Sequence, residues 1–417
     1  MDKFIIQGPR RLQGDVEISG AKNAVLPLMA ASLLARGESA IENVPDLRDV
    51  RTMIKLLRIL GAEASLDGSV LSINTKSANG IEAPYDLVRT MRASIYVLGS
   101  LLATHGKARV SLPGGCAWGP RPIDLHLMAI ERLGARVKLD HGYIYASSKR
   151  LKGTEIAFPV SSVGATANAM MAASLARGTT VIRNAALEPE VSELAKALVS
   201  GGVAIDGIGT STLTIEGTQS LNPFRHRVIP DRIEAGTYAA AAVITGGSVR
   251  LHRCDPSHME AVFNALKASG AEIKIENESV LVEGPKRAEP GHIVTREYPG
   301  FPTDMQAQIM AVLCRAKGFS TIKDTIYPDR FTHVPELRRF GADIRLDGNL
   351  AVINGVPSFQ GAPVMATDIR ASSALILAGL VAEGTTEVLR VYHIDRGYDR
   401  IVEKLRGLGA EIQRVSD

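Results

Sequence analysis

Apolar and polar positions follow one order in the first seventy residues of the chain. Residues 24–35 are apolar on every side and rich in small side chains, which predicts a buried helix. A short strand is predicted at 40–44, and residues 49–60 have apolar positions at helical spacing with charges between them, which predicts an amphipathic helix. Two strands, at about 62–66 and 70–73, then form a predicted hairpin.

This order of elements recurs six times. A glycine follows each predicted amphipathic helix, at intervals of 68 to 73 residues: Gly61, Gly134, Gly202, Gly270, Gly341 and Gly409. The buried-helix pattern returns at 93–103, 165–176, 235–245, 305–316 and 372–382. Six such helices need cover from sheets and amphipathic helices, which predicts an α/β protein with helices at its core. A chain of 417 residues is too long to fold around a single hydrophobic core. We therefore expect two domains of three units each, with the domain boundary near residues 222–230.

Composition narrows the class of protein. With 45% hydrophobic and 22% charged residues the chain is globular, which excludes a disordered or fibrous protein. The net charge of +4 does not indicate nucleic-acid binding, and the longest apolar run is too short to span a bilayer. The first residues lack a signal-peptide pattern, and three scattered cysteines do not form a disulfide framework. We therefore expect a cytoplasmic protein.

Polar or charged residues stand at the start of all six buried helices, among them Lys22, Arg92 and Arg370. Helix N-termini carry partial positive charge and unpaired N–H groups, so they suit phosphates and carboxylates. For any one helix, solvated caps are the more common explanation of such residues. Because cations at these positions oppose the helix dipole, their recurrence favours a cleft between the domains that binds an anionic ligand.

A loop with three glycines and three prolines, residues 112–124, contains Cys116 near Arg121. A neighbouring cation makes a thiolate more reactive, although a loop cysteine without a histidine beside it is more often inert. The sequence has no nucleotide-binding glycine motif and no metal-ligand spacing, so neither a cofactor nor a metal is predicted.

Four motifs resemble those of the UDP-N-acetylglucosamine enolpyruvyl transferases within the enolpyruvyl-transferase family. They are Ser-Gly-Ala-Lys-Asn at 19–23, the cysteine loop through His126, Phe-Pro-Thr-Asp-Met-Gln-Ala-Gln at 301–308 and His-Ile-Asp-Arg-Gly-Tyr at 393–398. The resemblance spans the whole chain. It implies a two-domain inside-out α/β barrel with three repeats per domain. The implied domains are 22–229, and 1–21 together with 230–417, with the active site in the cleft between them.

The resemblance also implies a reaction. The enolpyruvyl group of phosphoenolpyruvate would move to the 3′-hydroxyl of UDP-N-acetylglucosamine with release of phosphate, by addition and then elimination. This is the first committed step of peptidoglycan synthesis. The family has no cofactor, and the epoxide fosfomycin alkylates its loop cysteine, so we expect that inhibitor to react at Cys116.

Roles for individual residues come from the same motifs. The implied catalytic residues are Cys116 as general acid, Asp304 as base, and Lys22 and Arg396, with Lys22 an alternative for part of the proton transfer. Cations matching the phosphoenolpyruvate positions are Lys22, Arg121, Arg330 and Arg396, and Arg370 is added from its helix start. Positions matching nucleotide-sugar contacts are Asn23, Arg92, Arg121, Pro122, Ile123, Asp124, Leu125, Ser162, Val163, Gly164, Asp304 and Ile326. The chain departs from the family pattern at Trp118, Val160 and Pro328.

Two other functions stay open at this point. A 5-enolpyruvylshikimate-3-phosphate synthase would share the fold and the donor, although the loop cysteine and the Phe-Pro-Thr-Asp motif favour the nucleotide sugar. A non-catalytic relative that binds UDP-sugars and regulates the pathway is the second, and the presence of Lys22, Cys116, Asp304 and Arg396 argues against it.

Overall fold

The computed structural model describes residues 2–112, 123–277 and 279–416. The chain forms two compact units, residues 20–229, called the central unit here, and residues 1–19 with 230–417, called the terminal unit. Each unit has its own hydrophobic core.

The six apolar segments form buried helices, as predicted. In the central unit these are α1 (Lys22–Ala31), α4 (Val97–His105) and α6 (Val163–Ser174). In the terminal unit they are α8 (Arg232–Thr245), α10 (Gln306–Leu313) and α12 (Ile369–Val381). Every residue of α12 from Arg370 onward is buried, which explains why this helix has no polar face.

Amphipathic helices pack against the sheets. One of the six repeated glycines lies two residues after the end of each helix. The helices are α2 (Arg48–Ile59), α5 (Asp124–Arg132), α7 (Pro189–Ser200), α9 (Glu260–Ala268), α11 (Val334–Arg339) and α13 (Ile401–Gly407); a single turn, α3 (Tyr85–Val88), precedes α4. The six repeated glycines all have φ between +89° and +103°. A side chain is strained in that region, so the recurrence of glycine at these positions has a steric cause.

Three four-stranded sheets surround the central helices. In spatial order they are β14 (Arg225–Arg227), β3 (Glu38–Glu42), β5 (Val70–Asn74) and β4 (Glu63–Asp67); β6 (Glu82–Ala83), β7 (Lys107–Ser111), β9 (Tyr143–Ser147) and β8 (Arg136–Asp140); and β10 (Glu155–Ala157), β11 (Thr179–Arg183), β13 (Thr212–Glu216) and β12 (Ala204–Asp206). Each has one parallel edge and two antiparallel pairs. Because β14 comes from the end of the unit and pairs with β3 near its start, the three repeats close on themselves.

The terminal unit repeats this plan with strands from both ends of the chain. Its sheets are β16 (Glu272–Glu276), β17 (Ser279–Glu283), β15 (Ser248–His252) and β2 (Gln13–Glu17); β18 (His292–Val294), β19 (Phe319–Lys323), β21 (Leu350–Asn354) and β20 (Asp343–Asp347); and β22 (Phe359–Gln360), β24 (Ala382–Leu389), β1 (Lys3–Gly8) and β25 (Glu411–Val415), with β23 (Pro363–Met365) also on β24. Strand β1 lies between β24 and β25 and is antiparallel to both. Residues near the start of the chain therefore complete two sheets of this unit.

Two details differ from the sequence prediction. The strand expected at 40–44 is observed at Glu38–Glu42, because Asn43 has φ +59° and ends it. The second buried helix begins with a 3-10 helix, Arg92–Tyr96, before α4. Here the side-chain amide of Asn168 accepts from the Gly99 N–H (2.8 Å) and donates to the Ile95 carbonyl (3.1 Å), replacing the α-helical bond between them.

Candidate functional site

Lys22, the first residue of α1, is buried and ion-paired. Its Nζ lies 2.8 Å from Oδ2 of Asp49, the second residue of α2. A buried ammonium needs such a partner. The pairing places a fixed cation at the start of this helix, and Asn23 follows it on the same turn.

The starts of α5 and α6 meet in the central unit around His126. A Cβ built on Gly164 would lie 2.9 Å from the His126 ring, so only glycine permits this approach. Burial, reinforced by the charge of Arg92, lowers the pKa of His126 to about 4, and Asp124 opposes that shift. Arg92 and Asp124 are thus within electrostatic reach of one ring.

The other nucleotide-sugar candidates flank these residues. Ser162 caps α6, and its Oγ accepts from the Ala165 N–H at 3.3 Å. Val163 is the first residue of α6, and Ile123 and Leu125 lie on either side of Asp124 at the start of α5. All four are only partly buried, which leaves them surface for a ligand.

Four residues singled out in the sequence lie outside the described part of the chain. They are Cys116, Trp118, Arg121 and Pro122. Val160, where the chain departs from the family pattern, is 58% exposed.

In the terminal unit, Asp304 lies between two buried arginines. Its Oδ1 is 2.7 Å from Nη1 of Arg330 and its Oδ2 is 3.4 Å from Nε of Arg370. The arginine side chains are 7% and 4% exposed, whereas that of Asp304 is 29% exposed. The carboxylate is therefore the part of this cluster that solvent or a ligand reaches first.

The starts of all three buried helices of this unit converge on Arg370. Burial opposes its charge, but Tyr398, Asp304 and Asp231 outweigh burial and raise the pKa of this guanidinium above its ordinary value. Asp231 caps α8 by accepting from the N–H groups of Ile233 and Glu234, at 2.9 and 3.0 Å. The sequence predicted that helix starts would meet within a domain, and here they do.

Arg396 lies at the end of the 3-10 helix Val391–Arg396, which packs against α12. A Cβ built on the next residue, Gly397, would lie 3.5 Å from Nη1 of Arg370. The structure thus places the Arg396 segment beside the Asp304 cluster.

Asp324 is a buried carboxylate that sequence reasoning missed. It accepts from the Thr295 and Thr303 hydroxyls (2.8 and 2.7 Å) and from the backbone N–H groups of Ile326 and Tyr327 (3.0 and 2.9 Å). These bonds tie the residue before Asp304 to the loop carrying Ile326. A lone aspartate after a strand gave no sequence signal for that role.

Tyr398 was also missed, although it closes the fourth motif. Its hydroxyl donates to Ser373 Oγ (3.0 Å), lies 2.9 Å from Thr237 Oγ1 and accepts from Gln308 Nε2 (3.3 Å). Arg370 stacks over its ring, with 5.4 Å from Cζ to the centroid. The hydroxyl thus joins α8, α10 and α12 beside the Asp304 cluster.

Within the described residues, no group of three or more metal-ligating side chains could hold a metal ion. The helices in this part of the chain are each too short or too polar to span a bilayer.

Residues 6–405 match the family of EPSP synthase (3-phosphoshikimate 1-carboxyvinyltransferase). The chain belongs to this family. Among its relatives, the UDP-N-acetylglucosamine 1-carboxyvinyltransferase of Geobacter metallireducens is 54% identical over 417 residues and 100% of both chains. The protein of that name from Prosthecochloris aestuarii is 55% identical over 99% of this chain and 98% of its own.

Solved structures bear out the fold class. The enolpyruvyl transferase NikO of Streptomyces tendae has a TM-score of 0.88 and 26% identity, covering 100% of this chain and 99% of that one. EPSP synthase of Acinetobacter baumannii has a TM-score of 0.76 at 18% identity over the full length of both, which shows the fold alone. The predicted enolpyruvyl-transferase fold is confirmed.

Proposed function

We propose that this chain transfers the enolpyruvyl group of phosphoenolpyruvate to the 3′-hydroxyl of UDP-N-acetylglucosamine and releases phosphate, in the cytoplasm, as a step of peptidoglycan synthesis. The observation that carries the proposal is identity of 54–55% over essentially the full chain with relatives named for this reaction. The Phe-Pro-Thr-Asp motif adds support, because it supplies Asp304 between two arginines.

The addition step joins the sugar oxygen to C2 of phosphoenolpyruvate while C3 gains a proton and the hydroxyl loses one. In the elimination step the C2–O bond to phosphate breaks, phosphate leaves with the electron pair, and C3 gives up a proton to restore the double bond. A general acid and a general base therefore act in turn. We assign the acid to Cys116 and the base to Asp304, with Lys22 as the alternative for part of the proton transfer.

The charge of phosphoenolpyruvate requires fixed cations. Lys22, Arg121, Arg330 and Arg396 are assigned to its phosphate and carboxylate, and Arg370 supports Asp304. In the structure Arg330 binds Asp304 at 2.7 Å. Phosphoenolpyruvate would compete with that carboxylate for the same guanidinium, which would free Asp304 to accept a proton from the sugar hydroxyl.

The nucleotide sugar is assigned to the central unit and to two positions of the terminal unit. Arg92, with the segment 121–125, would contact its diphosphate and sugar, and the start of α6 at Ser162, Val163 and Gly164 offers backbone N–H groups to an anion. Asn23, Asp304 and Ile326 complete the assignment.

The test is a two-acceptor assay. The purified chain is incubated with phosphoenolpyruvate and either UDP-N-acetylglucosamine or shikimate 3-phosphate, and released phosphate is measured. We expect phosphate release when UDP-N-acetylglucosamine is the acceptor and none when shikimate 3-phosphate is the acceptor. Release only with shikimate 3-phosphate would assign the other acceptor, and binding of the UDP-sugar without turnover would indicate a non-catalytic relative.

A further inference from the structure

A cavity of about 1080 Å³ lies in the central unit, away from the candidate site. Its lining includes Leu34, Leu102 and Leu175, which lie at the C-terminal ends of α1 with its 3-10 extension, of α4 and of α6. The candidate residues Lys22 and Ser162 lie at the opposite ends of α1 and α6. Since α6 has 12 residues, about 18 Å of helix separates the two places.

Basic side chains line this cavity, and none of the described residues that line it is acidic. The cations are Arg36, Lys107, Arg136, Lys149 and Arg150, with His105 beside them. Among the described residues, none of these five cations forms an ion pair with a carboxylate. Exposed arginines elsewhere in the unit do find partners, as Arg183 does with Glu155 at 2.7 Å. The cavity therefore concentrates uncompensated positive charge.

Strand register fixes part of this arrangement. Lys107 on β7 and Arg136 on β8 both pair with Ser147 on β9. Residues in one row of a sheet point to the same face, and neighbouring strands are about 4.8 Å apart, so these two backbones lie about 10 Å apart. The charge of Arg36 reaches the same cavity, since it reinforces burial in lowering the pKa of His105.

Helix dipoles offset only part of the charge. Each of the three helix C-termini contributes roughly half a negative charge, about 1.5 in total, against five permanent cations. The remaining excess is positive. A rim of cations over leucine side chains, in a cavity as large as ordinary ligand pockets of about 300–1,000 Å³, is suited to a small anionic molecule.

We propose that this cavity binds a small molecule carrying two or more linked phosphate groups, at a site separate from that of the reaction. Lys107 and Arg136 extend from backbones about 10 Å apart, and the other three cations line the same cavity, so a chain of two or three phosphates can contact more of the five cations at once than one phosphate can. The inference rests on the cavity alone and holds whichever acceptor the reaction uses.

The experiment is calorimetric titration of the full chain with sodium tripolyphosphate, and separately with orthophosphate, in 150 mM NaCl and saturating UDP-N-acetylglucosamine. We expect one tripolyphosphate per chain, bound at least tenfold more tightly than orthophosphate. Arg136→Ser and Lys107→Ser should each weaken that binding at least fivefold. Because both side chains are exposed, neither variant should lower the melting temperature.

Lys138→Ser is the matched control, since it removes the same charge from β8 two residues beyond Arg136 but outside the cavity. It should change the affinity less than twofold. Three results would each overturn the proposal. They are a loss of affinity for Lys138→Ser as large as that for Arg136→Ser, binding of orthophosphate as tight as that of tripolyphosphate, and no saturable binding of tripolyphosphate. Displacement of tripolyphosphate by UDP-N-acetylglucosamine would also overturn it, by placing the anion in the reaction site. The comparison of Arg136→Ser and Lys107→Ser with Lys138→Ser remains interpretable whichever acceptor the two-acceptor assay identifies.

Discussion

At the scale of single residues, the contacts of Asp304 bear on its role as a base. A carboxylate between two guanidinium groups is held in place and ionised, but its attraction to them opposes taking up a proton. The proposed role of Asp304 as a base therefore requires a competing anion that takes over at least one arginine.

Asp304→Asn tests this role. The amide keeps the size of the side chain but cannot act as a base, so we expect kcat to fall about 10²–10⁴-fold, the usual contribution of general acid–base catalysis. Phosphate release with UDP-N-acetylglucosamine is the measurement. Asp347→Asn, an exposed carboxylate of the same unit, is the control and should keep full activity. A kcat within threefold of the parent for Asp304→Asn would contradict the assignment.

Fosfomycin labelling tests Cys116 against the other two cysteines. Burial raises the pKa of Cys254 to about 12 and also raises that of Cys314, so neither forms much thiolate at pH 7.5. We expect one added inhibitor per chain, with the thiolate opening the epoxide at carbon, and peptide mass spectrometry should place it on Cys116. Label on Cys254 or Cys314, or an unlabelled Cys116, would refute this assignment.

At the scale of elements, side chains inserted between helices and loops determine the local geometry. Asp324 connects the ends of β18 and β19 with the segment that begins α10, through four hydrogen bonds. Such a group positions Thr303 and Ile326 without contacting the substrates in the proposed mechanism.

Asp324→Ala should therefore lower both stability and substrate affinity. Buried donors left without a partner cost about 1–3 kcal/mol each, so we expect the free energy of unfolding to fall by at least about 2 kcal/mol. We also expect KM for the nucleotide sugar to rise more than kcat falls. Asp324→Asn keeps an acceptor oxygen, so its KM for the nucleotide sugar should be close to that of the parent protein. If Asp324→Ala lowers the free energy of unfolding but leaves KM unchanged, Asp324 has only a structural role.

Asn168→Ala tests the transition from the 3-10 helix to α4. It leaves the Gly99 N–H and the Ile95 carbonyl buried without their bonds, so we expect a loss of about 2–4 kcal/mol in urea unfolding. Ser174→Ala is the matched control on the same helix, because its hydroxyl donates only to Met170 of its own turn. If the free energy of unfolding falls as little for Asn168→Ala as for the control, the α-helical hydrogen bond between the Gly99 N–H and the Ile95 carbonyl forms in the variant.

The helices and hairpins were predictable from the sequence because periodicity and glycine position record them directly. The 3-10 start at Arg92 was not, since it depends on an amide 69 residues beyond Gly99 in the chain. The same holds for the site. Lys22, Arg370 and Asp304 were found from helix starts and a motif, whereas Asp324 and Tyr398 act through contacts between distant segments that no local pattern reports.

At the scale of the whole molecule, the two units differ in what they need to fold. Every sheet of the central unit is built from residues 38–227, whereas the terminal unit takes β1 and β2 from residues 3–17. Buried polar contacts hold that segment, since the Ser19 N–H donates to Glu234 (2.8 Å) and Lys404 donates to both residues at 2.6 Å.

Separate fragments should behave accordingly. Residues 20–229 alone should melt cooperatively, because no strand is missing. Residues 230–417 alone should not, since β24 and β25 lose the strand between them. Joining residues 1–19 through a flexible linker after residue 417 should restore a cooperative melt, as followed by circular dichroism. A cooperative melt of 230–417 by itself would show that β1 and β2 are dispensable.

The pH dependence of the central unit should reflect His126. Its pKa is about 4 in the folded protein against an ordinary 6.5, so the unfolded chain binds the extra proton between those values. Stability is complete above pH 6.5 and falls as pH drops, by about 2 kcal/mol at pH 5. Amide hydrogen exchange in α6, compared at pH 7.5 and pH 5.0, measures this loss of stability. His126→Asn should reduce this dependence, leaving the part that comes from His105, whose pKa burial also lowers, and the exposed His141→Asn should not reduce it.

The position of β1 also affects when the terminal unit can complete its sheets during synthesis. A ribosome adds about 5–20 residues per second, so β1 emerges roughly 20–80 s before β25, its partner near the end of the chain. The central unit can complete its sheets while the rest is still being synthesised. Meanwhile β1, with alternate side chains that are buried in the finished protein, waits beside the ribosome without either neighbour. During that interval the unpaired β1 strand is most prone to aggregate, and a chaperone that binds it would protect the growing chain.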